Sequence, residues 1–296
     1  MYAGYAEGRS AARTSMRKKA FAEYIALVGA SRAHTKNSKN WMGEVFSDFI
    51  YSMLGWKILA HASVDNNDVY VVQKKRERVL VYDHAIHSLL RNNSIYTHYY
   101  WDYFLPLAAL HRRPQILMIG LGGGTTPFQL SKLFKPARID VVEISDKIAK
   151  ISKIFLQEKI RRMRVIIGDG HAYLTGKNSA YDLIIMDPYI GEHMEDGFFS
   201  DSFLSCVRRA LKTDGTLAIN YAFTLRNLVK KSNYEKKLKS VFWLYSISYK
   251  SSRGNRIYIC SKRLSREEML ERIEANFPLS EENSFIIKAY AKMKQL

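Results

Sequence analysis

Three features of the sequence predict an α/β fold: a doubly wound, mostly parallel seven-stranded sheet, preceded by a small antiparallel sheet and N-terminal helices. From Gln115 onward, short apolar runs alternate with stretches of helical periodicity, the rhythm of a parallel sheet whose crossovers are helices. The first of these runs ends in the glycine-rich string Gly120-Leu121-Gly122-Gly123-Gly124. Two late runs, Val241–Ser248 and Asn255–Cys260, flank Ser251-Ser252-Arg253-Gly254 and read as a hairpin that closes the sheet.

Taken in order, residues 1–57 read as a basic helical extension. Lys18–Val28 has amphipathic spacing, the polar string Ala33–Asn40 interrupts it, and a second helix is expected near Trp41–Leu54. Residues 58–110 read as a small sheet with a linking helix. Ile58–Val64, Val69–Lys74 and Arg78–Tyr82 are β-rich and separated by polar turns, and an aromatic-rich helix is expected over Tyr96–Leu110. Residues 111–296 read as a nucleotide-binding domain. Strand Gln115–Ile119 leads through the glycines to a helix over Thr126–Phe134, then strand Arg138–Ile144. Helix Asp146–Lys159 follows, with Ser145 or Asp146 as N-cap, and strands Val165–Ile167, Tyr181–Met186 and Thr216–Asn220 come after it. A last helix over Ser265–Ala275 opens with a capping box of Ser265 and Glu268. Five parallel strands closed by a hairpin is the Rossmann-like architecture of class I methyltransferases.

A chain of 296 residues, 47% hydrophobic, carries enough apolar material for a substantial core. Its two cysteines, Cys206 and Cys260, stand far apart, which argues against a disulfide framework or a zinc site and fits a reducing cytoplasm. The longest apolar stretch, Trp41–Leu59, is broken by Glu44, Asp48 and Lys57, so no membrane span is expected. Basic residues at the start are followed by a stretch containing Glu23, which argues against a signal peptide. The formal charge of +18 fits either lysine-rich outer helices or attraction to nucleic acid or an acidic membrane.

The cofactor site is expected at the carboxyl ends of the first three sheet strands. Gly120, Gly122, Gly123 and Gly124 follow a strand and open a helix, where a tight turn and close ligand approach exclude Cβ atoms. Glu143, at the end of the next strand, is placed to accept both hydroxyls of a ribose. Asp169 in Gly168-Asp169-Gly170 is placed for the amine of an adenine, although it can equally cap the helix that follows. Gly170 keeps the backbone close to the ring. No Gly-Lys-Ser/Thr string follows the glycines, which disfavours a phosphate cradle.

On these residues, the region from Val69 to Lys262 resembles the spermidine synthase family. The resemblance is carried by Val79-Leu80-Val81-Tyr82-Asp83, Ala85-Ile86-His87, Leu105-Pro106-Leu107, Val141–Ile144, Gly168–Gly170, Tyr181–Asp187 and Phe198-Phe199-Ser200 with Phe203. The glycine loop with Thr125-Thr126-Pro127 is closer to divergent members, some fused to membrane transporters. The resemblance implies aminopropyl transfer from decarboxylated S-adenosylmethionine to a small amine or polyamine, no metal, a homodimer, and Asp187 as the base that takes the amine proton.

Several positions depart from the family pattern. Gly123 stands where the family has an aspartate that meets the cofactor's amino end, and Ile190 replaces a second aspartate. His87 replaces a glutamine, while His98-Tyr99-Tyr100 replaces Tyr-His-Glu. His87, Tyr99 and Tyr189 are the expected substrate contacts, and the acids Glu192, Glu195 and Asp196 either replace the lost anions or form a solvated lid. The departures keep S-adenosylmethionine-dependent methyl transfer open. So does Asp187-Pro188-Tyr189, which is similar to the Asp-Pro-Pro-Tyr segment of amino-directed nucleic-acid methyltransferases and leaves RNA or DNA as an acceptor. A catalytically inactive nucleoside-binding protein is the third reading.

Overall fold

The computed structural model describes residues 51–82, 85–189, 194–222, 225–249 and 255–296. The expected helix Lys18–Val28 lies outside the described residues, as do most of Trp41–Leu54, the hairpin turn 251–254 and Ile190.

A four-stranded antiparallel sheet comes first: β1 (Lys57–Val64), β2 (Asn67–Lys74), β3 (Glu77–Tyr82) and β4 (Ala85–Arg91), in that order. The β4 strand holds the Ala85-Ile86-His87 segment that carries part of the resemblance, although polar His87 and Ser88 break the apolar alternation that marks a strand. Both faces of this sheet are covered. Val69, Val71 and Leu80 pack with Ile148, Ile151 and Phe155 on one side, and Tyr70, Val79 and Val81 pack with Trp56 and Trp101 on the other.

The expected helix over Tyr96–Leu110 is shorter in the structure: a 3₁₀ turn, Tyr100–Phe104, leads into α1 (Leu105–Ala108). His98 has a positive φ of 60°. The buried Asp102 carboxylate accepts the backbone N–H groups of Thr97 and His98, the Thr97 hydroxyl and the Gln129 amide. These bonds fold the segment back on itself and replace the first turns of a helix. Burial raises the Asp102 carboxyl to about 6, against the lowering effect of those donors.

The large sheet has the order β7-β6-β5-β8-β9-β11-β10-β12. Strands β5 (Gln115–Ile119), β6 (Arg138–Glu143), β7 (Met163–Ile167), β8 (Tyr181–Met186) and β9 (Leu211–Ala222) are parallel. The hairpin partners β10 (Trp243–Ser248) and β11 (Asn255–Ser261) run antiparallel beyond them. One short edge strand, β12 (Lys294–Gln295), makes eight strands instead of seven. All six residues of β8 are buried, as a central strand covered on both faces requires.

Helices α2 (Thr125–Leu133), α3 (Asp146–Leu156), α4 (Gly170–Leu174), α5 (Asp201–Ala210), α6 (Leu225–Val241), α7 (Arg266–Asn276) and α8 (Ser284–Tyr290) complete the two layers. The capping box of Ser265 and Glu268 at α7 is present, and Ser145 caps α3 through the N–H of Ile148.

The small sheet is tied to the end of α3 at Arg78 of β3, which is 7% exposed. Its guanidinium donates to the carbonyl of Phe155 at the end of α3 and to the side-chain oxygens of Gln73 and Gln157. Among the described residues, no helix is long and apolar enough to cross a membrane.

Candidate active site

The strand order reverses between β5 and β8, because β6 and β7 lie on one side of β5 and β8 and β9 on the other. A crevice forms at the carboxyl ends of strands at such a reversal, and open α/β sheets bind ligands there. The residues on its rim are Gly120 after β5, Glu143 ending β6, Asp169 after β7 and Asp187 after β8. All four line one cavity, which the small sheet closes from above with Val64, Asp65, Leu80 and Tyr82.

At Gly120, φ is +90° and an added Cβ would sit 2.4 Å from the carbonyl oxygen of Asp187, so only glycine lets the two strand ends converge. Gly122 also lines the cavity, whereas Gly123 and Gly124 do not. Gly124, with φ of +96°, is the N-cap of α2. A Cβ on Gly123 would meet the Phe155 ring at 2.6 Å and the Ser88 Cβ at 2.8 Å. Its N–H donates to the Ser88 hydroxyl at 2.7 Å. The absence of an acid at position 123 therefore leaves no vacant space: Phe155 and Ser88 occupy it.

Glu143 is buried, and its two oxygens accept the N–H groups of Leu121 and Ser145, each at 2.9 Å. Burial raises its carboxyl above the ordinary range, while these N–H donors pull it back down. Each carboxylate oxygen can accept a further bond, so the group remains able to take ribose hydroxyls while it shapes the glycine loop. Asp169 is exposed and caps α4 through Ala172 N–H at 2.7 Å, and it also lines the cavity. The two sequence readings of Asp169 are thus compatible.

Asp187 is held from two sides. The Tyr100 hydroxyl donates to one oxygen at 3.0 Å and the Asn220 amide to the other at 2.8 Å. Asn220 in turn accepts from the amide of Asn255 at 2.8 Å, so the hairpin strand β11 reaches the carboxylate through one intermediary. Burial lifts the Asp187 carboxyl to about 7, against the lowering effect of the two donors. A carboxylate titrating near neutrality is matched to accepting an amine proton. The Tyr100 phenol is pushed well above its ordinary value by burial and by the neighbouring carboxylate.

His87 and Tyr189 line the same cavity, and the Tyr189 hydroxyl donates to the Asn220 carbonyl at 3.0 Å. Tyr99 does not line it: its ring lies against Trp101 and Tyr249, and the next residue, Tyr100, takes the cavity side. Of the acids after Asp187, Glu195 lines the cavity, while Asp196 turns outward to Lys230 and Tyr234 of α6. Glu192 lies outside the described residues. Tyr100, Trp101, Ser88, Asn220 and Asn255 were not anticipated. They stand far along the chain from the glycine loop and Asp187, and no local motif marks them.

Residues 103–252 match the spermine/spermidine synthase domain, half of the chain. A polyamine aminopropyltransferase of Vibrio vulnificus (strain CMCP6) is 29% identical over 162 residues, covering 52% of this chain and 54% of that protein. Putrescine N-methyltransferase 1 of Nicotiana attenuata is 27% identical over 205 residues, covering 65% of this chain and 51% of that protein. The chain thus spans about half the length of these two curated relatives. The crystal structure of spermidine synthase from Thermotoga maritima matches with a TM-score of 0.61 at 15% identity, over 78% of this chain and 88% of that one, and so shares the fold. With the domain match running from the 3₁₀ turn before α1 to the closing hairpin, this chain belongs to the spermine/spermidine synthase family.

Proposed function

We propose that this protein is a transferase that alkylates an amine nitrogen, drawing on the sulfonium of an S-adenosylmethionine-type nucleoside, with Asp187 as the proton acceptor. One observation carries the reading. The charged side chains lining the cavity are all carboxylates, namely Asp65, Glu143, Asp169, Asp187 and Glu195, with no lysine or arginine among the described residues. That lining belongs to a protein of formal charge +18. A carboxylate-lined cavity in so basic a chain favours cationic guests, and a sulfonium nucleoside and an ammonium acceptor are both cations. It also repels phosphates, which disfavours a nucleic-acid acceptor at this site.

Glu143 and Asp169 would hold the nucleoside at the β6 and β7 ends, leaving the reacting carbon toward Asp187. The Tyr100 and Asn220 donors fix the carboxylate's orientation. Asp187 takes the proton that the amine must lose before its lone pair can attack. When bound, the cofactor supplies an electrophilic carbon on a positively charged sulfur. Relatives named polyamine aminopropyltransferase support an aminopropyl group as cargo, and relatives named putrescine N-methyltransferase support a methyl group on the same scaffold.

The test is to supply a panel of small amines with S-adenosylmethionine or its decarboxylated form and weigh the products by mass spectrometry. Asp187→Asn should lower turnover by on the order of 10²–10⁴ with cofactor affinity nearly intact. Parental turnover in that variant would show that Asp187 is structural. Binding of methylthioadenosine without turnover of any pair would leave a nucleoside-binding protein that does not catalyse.

A further inference from the structure

The two edges of the large sheet carry opposite charge. The cavity lies at the carboxyl ends of the parallel strands, and its charged lining is all carboxylate. The segments that lead into the amino ends of β5, β6 and β7 are basic instead. Arg112 and Arg113 precede β5, Lys135 and Arg138 join α2 to β6, and Lys159, Arg161 and Arg162 join α3 to β7. All seven are exposed. One acid, Glu158, shares these segments, and Lys132 holds it at 2.9 Å. Asp140 of β6 and Asp182 of β8 are also taken, by Arg164 and Lys212. None of the seven cations has an ion-pair partner among the described residues.

Hydrogen bonds hold these segments side by side. The Arg138 N–H donates to the Pro114 carbonyl and the Ile139 N–H to the Arg162 carbonyl, each at 3.0 Å, and the Arg162 guanidinium donates to the Pro136 carbonyl at 3.4 Å. Neighbouring strands lie about 4.8 Å apart, so the three segments form a strip about 10 Å wide. That width is close to a Debye length at physiological salt, so the charges repel one another. The fold gains nothing from this crowding, and a polyanion would relieve it. A strand of five residues such as β5 spans about 16 Å. The carboxylates at the cavity edge therefore lie about two Debye lengths away and leave the strip's field largely intact.

We propose that this strip docks double-helical nucleic acid through its phosphate backbone, without reading sequence. Five of the seven cations are arginines, whose planar fork matches phosphate oxygens. A duplex presents a negative charge about every 1.7 Å along its axis, so a strip of this width meets several at once. None of the exposed large apolar side chains belongs to these segments. The strip therefore lacks both the aromatic platforms on which single strands stack and the apolar anchors that sink into a membrane. Docking there leaves the cavity on the opposite edge open. It is also independent of the transferase reading, since no residue of the strip lines the cavity.

Fluorescence anisotropy on the full chain tests this with labelled RNA and DNA duplexes of about 20 base pairs, two helical turns. Duplex affinity should fall steeply with salt, with log K against log salt sloping at about −4 or steeper. Arg112→Gln, Arg113→Gln, Arg138→Gln and Arg161→Gln combined should flatten that slope by about 3–4 and weaken binding at about 50 mM salt at least tenfold. Arg112→Gln with Arg113→Gln alone should show about half of the slope change, which guards against misfolding of the larger variant. Lys236→Gln with Lys239→Gln removes two exposed charges from α6 and should change affinity less than about twofold. Three results would overturn the docking strip: no duplex binding at low salt, parental binding by the combined variant, or equal losses per charge in the α6 variant. Tighter binding of a single strand of the same length would also overturn it. So would binding of phosphatidylserine vesicles in place of duplex, which would assign the strip to a membrane.

Discussion

The stability of the Asp187→Asn variant relative to the parent should depend on pH, with a sign that the structure fixes. The carboxyl titrates near 7 in the fold instead of at its ordinary 3.8, and burial is the main cause. Between those two values the folded protein holds a proton that the unfolded chain has released. Parental stability therefore falls as pH climbs from about 4 to about 7 and is flat beyond that. Asparagine does not titrate and removes this dependence. From pH 5 to pH 8 the shift spans about two pH units, and each unit is worth about 1.4 kcal/mol, so the variant should gain about 2–3 kcal/mol on the parent.

Whatever constant cost asparagine brings by exchanging one acceptor oxygen for a donor beside Tyr100 and Asn220 cancels in that difference. Urea unfolding of both proteins without ligand, at pH 5 and pH 8, measures it directly. A gap between them that stays constant across the two pH values would refute the desolvated carboxylate, and with it the argument that Asp187 is poised as a base.

Glu143→Ala should weaken cofactor binding by about 1–3 kcal/mol by calorimetry, since bonds to two hydroxyls are lost. Unchanged affinity with the fold intact would confine Glu143 to holding Leu121 and Ser145. Asp102→Ala should destabilise the protein by about 2–4 kcal/mol, because buried donors from Thr97, His98 and Gln129 lose their acceptor. It should also raise the Michaelis constant for the amine by displacing Tyr100 and Trp101, and unchanged melting and kinetics would contradict this.

Much of the large sheet was legible because its signals are local. Apolar runs of strand length, each followed by a glycine or an acid, locate β5, β6 and β8 without reference to anything distant. The rim residues Gly120, Glu143, Asp169 and Asp187 come from the same signal and do line one cavity. What escaped depends on contacts across the fold. The Tyr96–Leu110 segment has helical periodicity, yet Asp102 draws its first residues into a loop by bonds that include one to Gln129 on another helix. That loop sets which of two adjacent tyrosines faces the cavity, so Tyr99 was read where Tyr100 stands. Asn220 and Asn255 carry no signature along the chain, and only the register of β9 against β11 brings them together. Nor does the sequence reveal that Phe155 and Ser88 converge beside Gly123.

Arg78 has a consequence for how the molecule comes apart. The partners of its guanidinium are a backbone carbonyl and two amide oxygens, all neutral. Salt screens pairs of opposite charges, and acid discharges carboxylates, but neither removes a contact between a guanidinium and neutral oxygens. The junction between the small sheet and α3 therefore holds at ionic strengths and acidities that loosen surface ion pairs such as Lys150 with Asp146. Detaching the small sheet would strand the Phe155 carbonyl and the Gln157 amide oxygen, leave Arg78 with Gln73 alone, and expose the apolar faces of Phe155 and Ile151, so loss of the small sheet and loosening of the end of α3 are coupled.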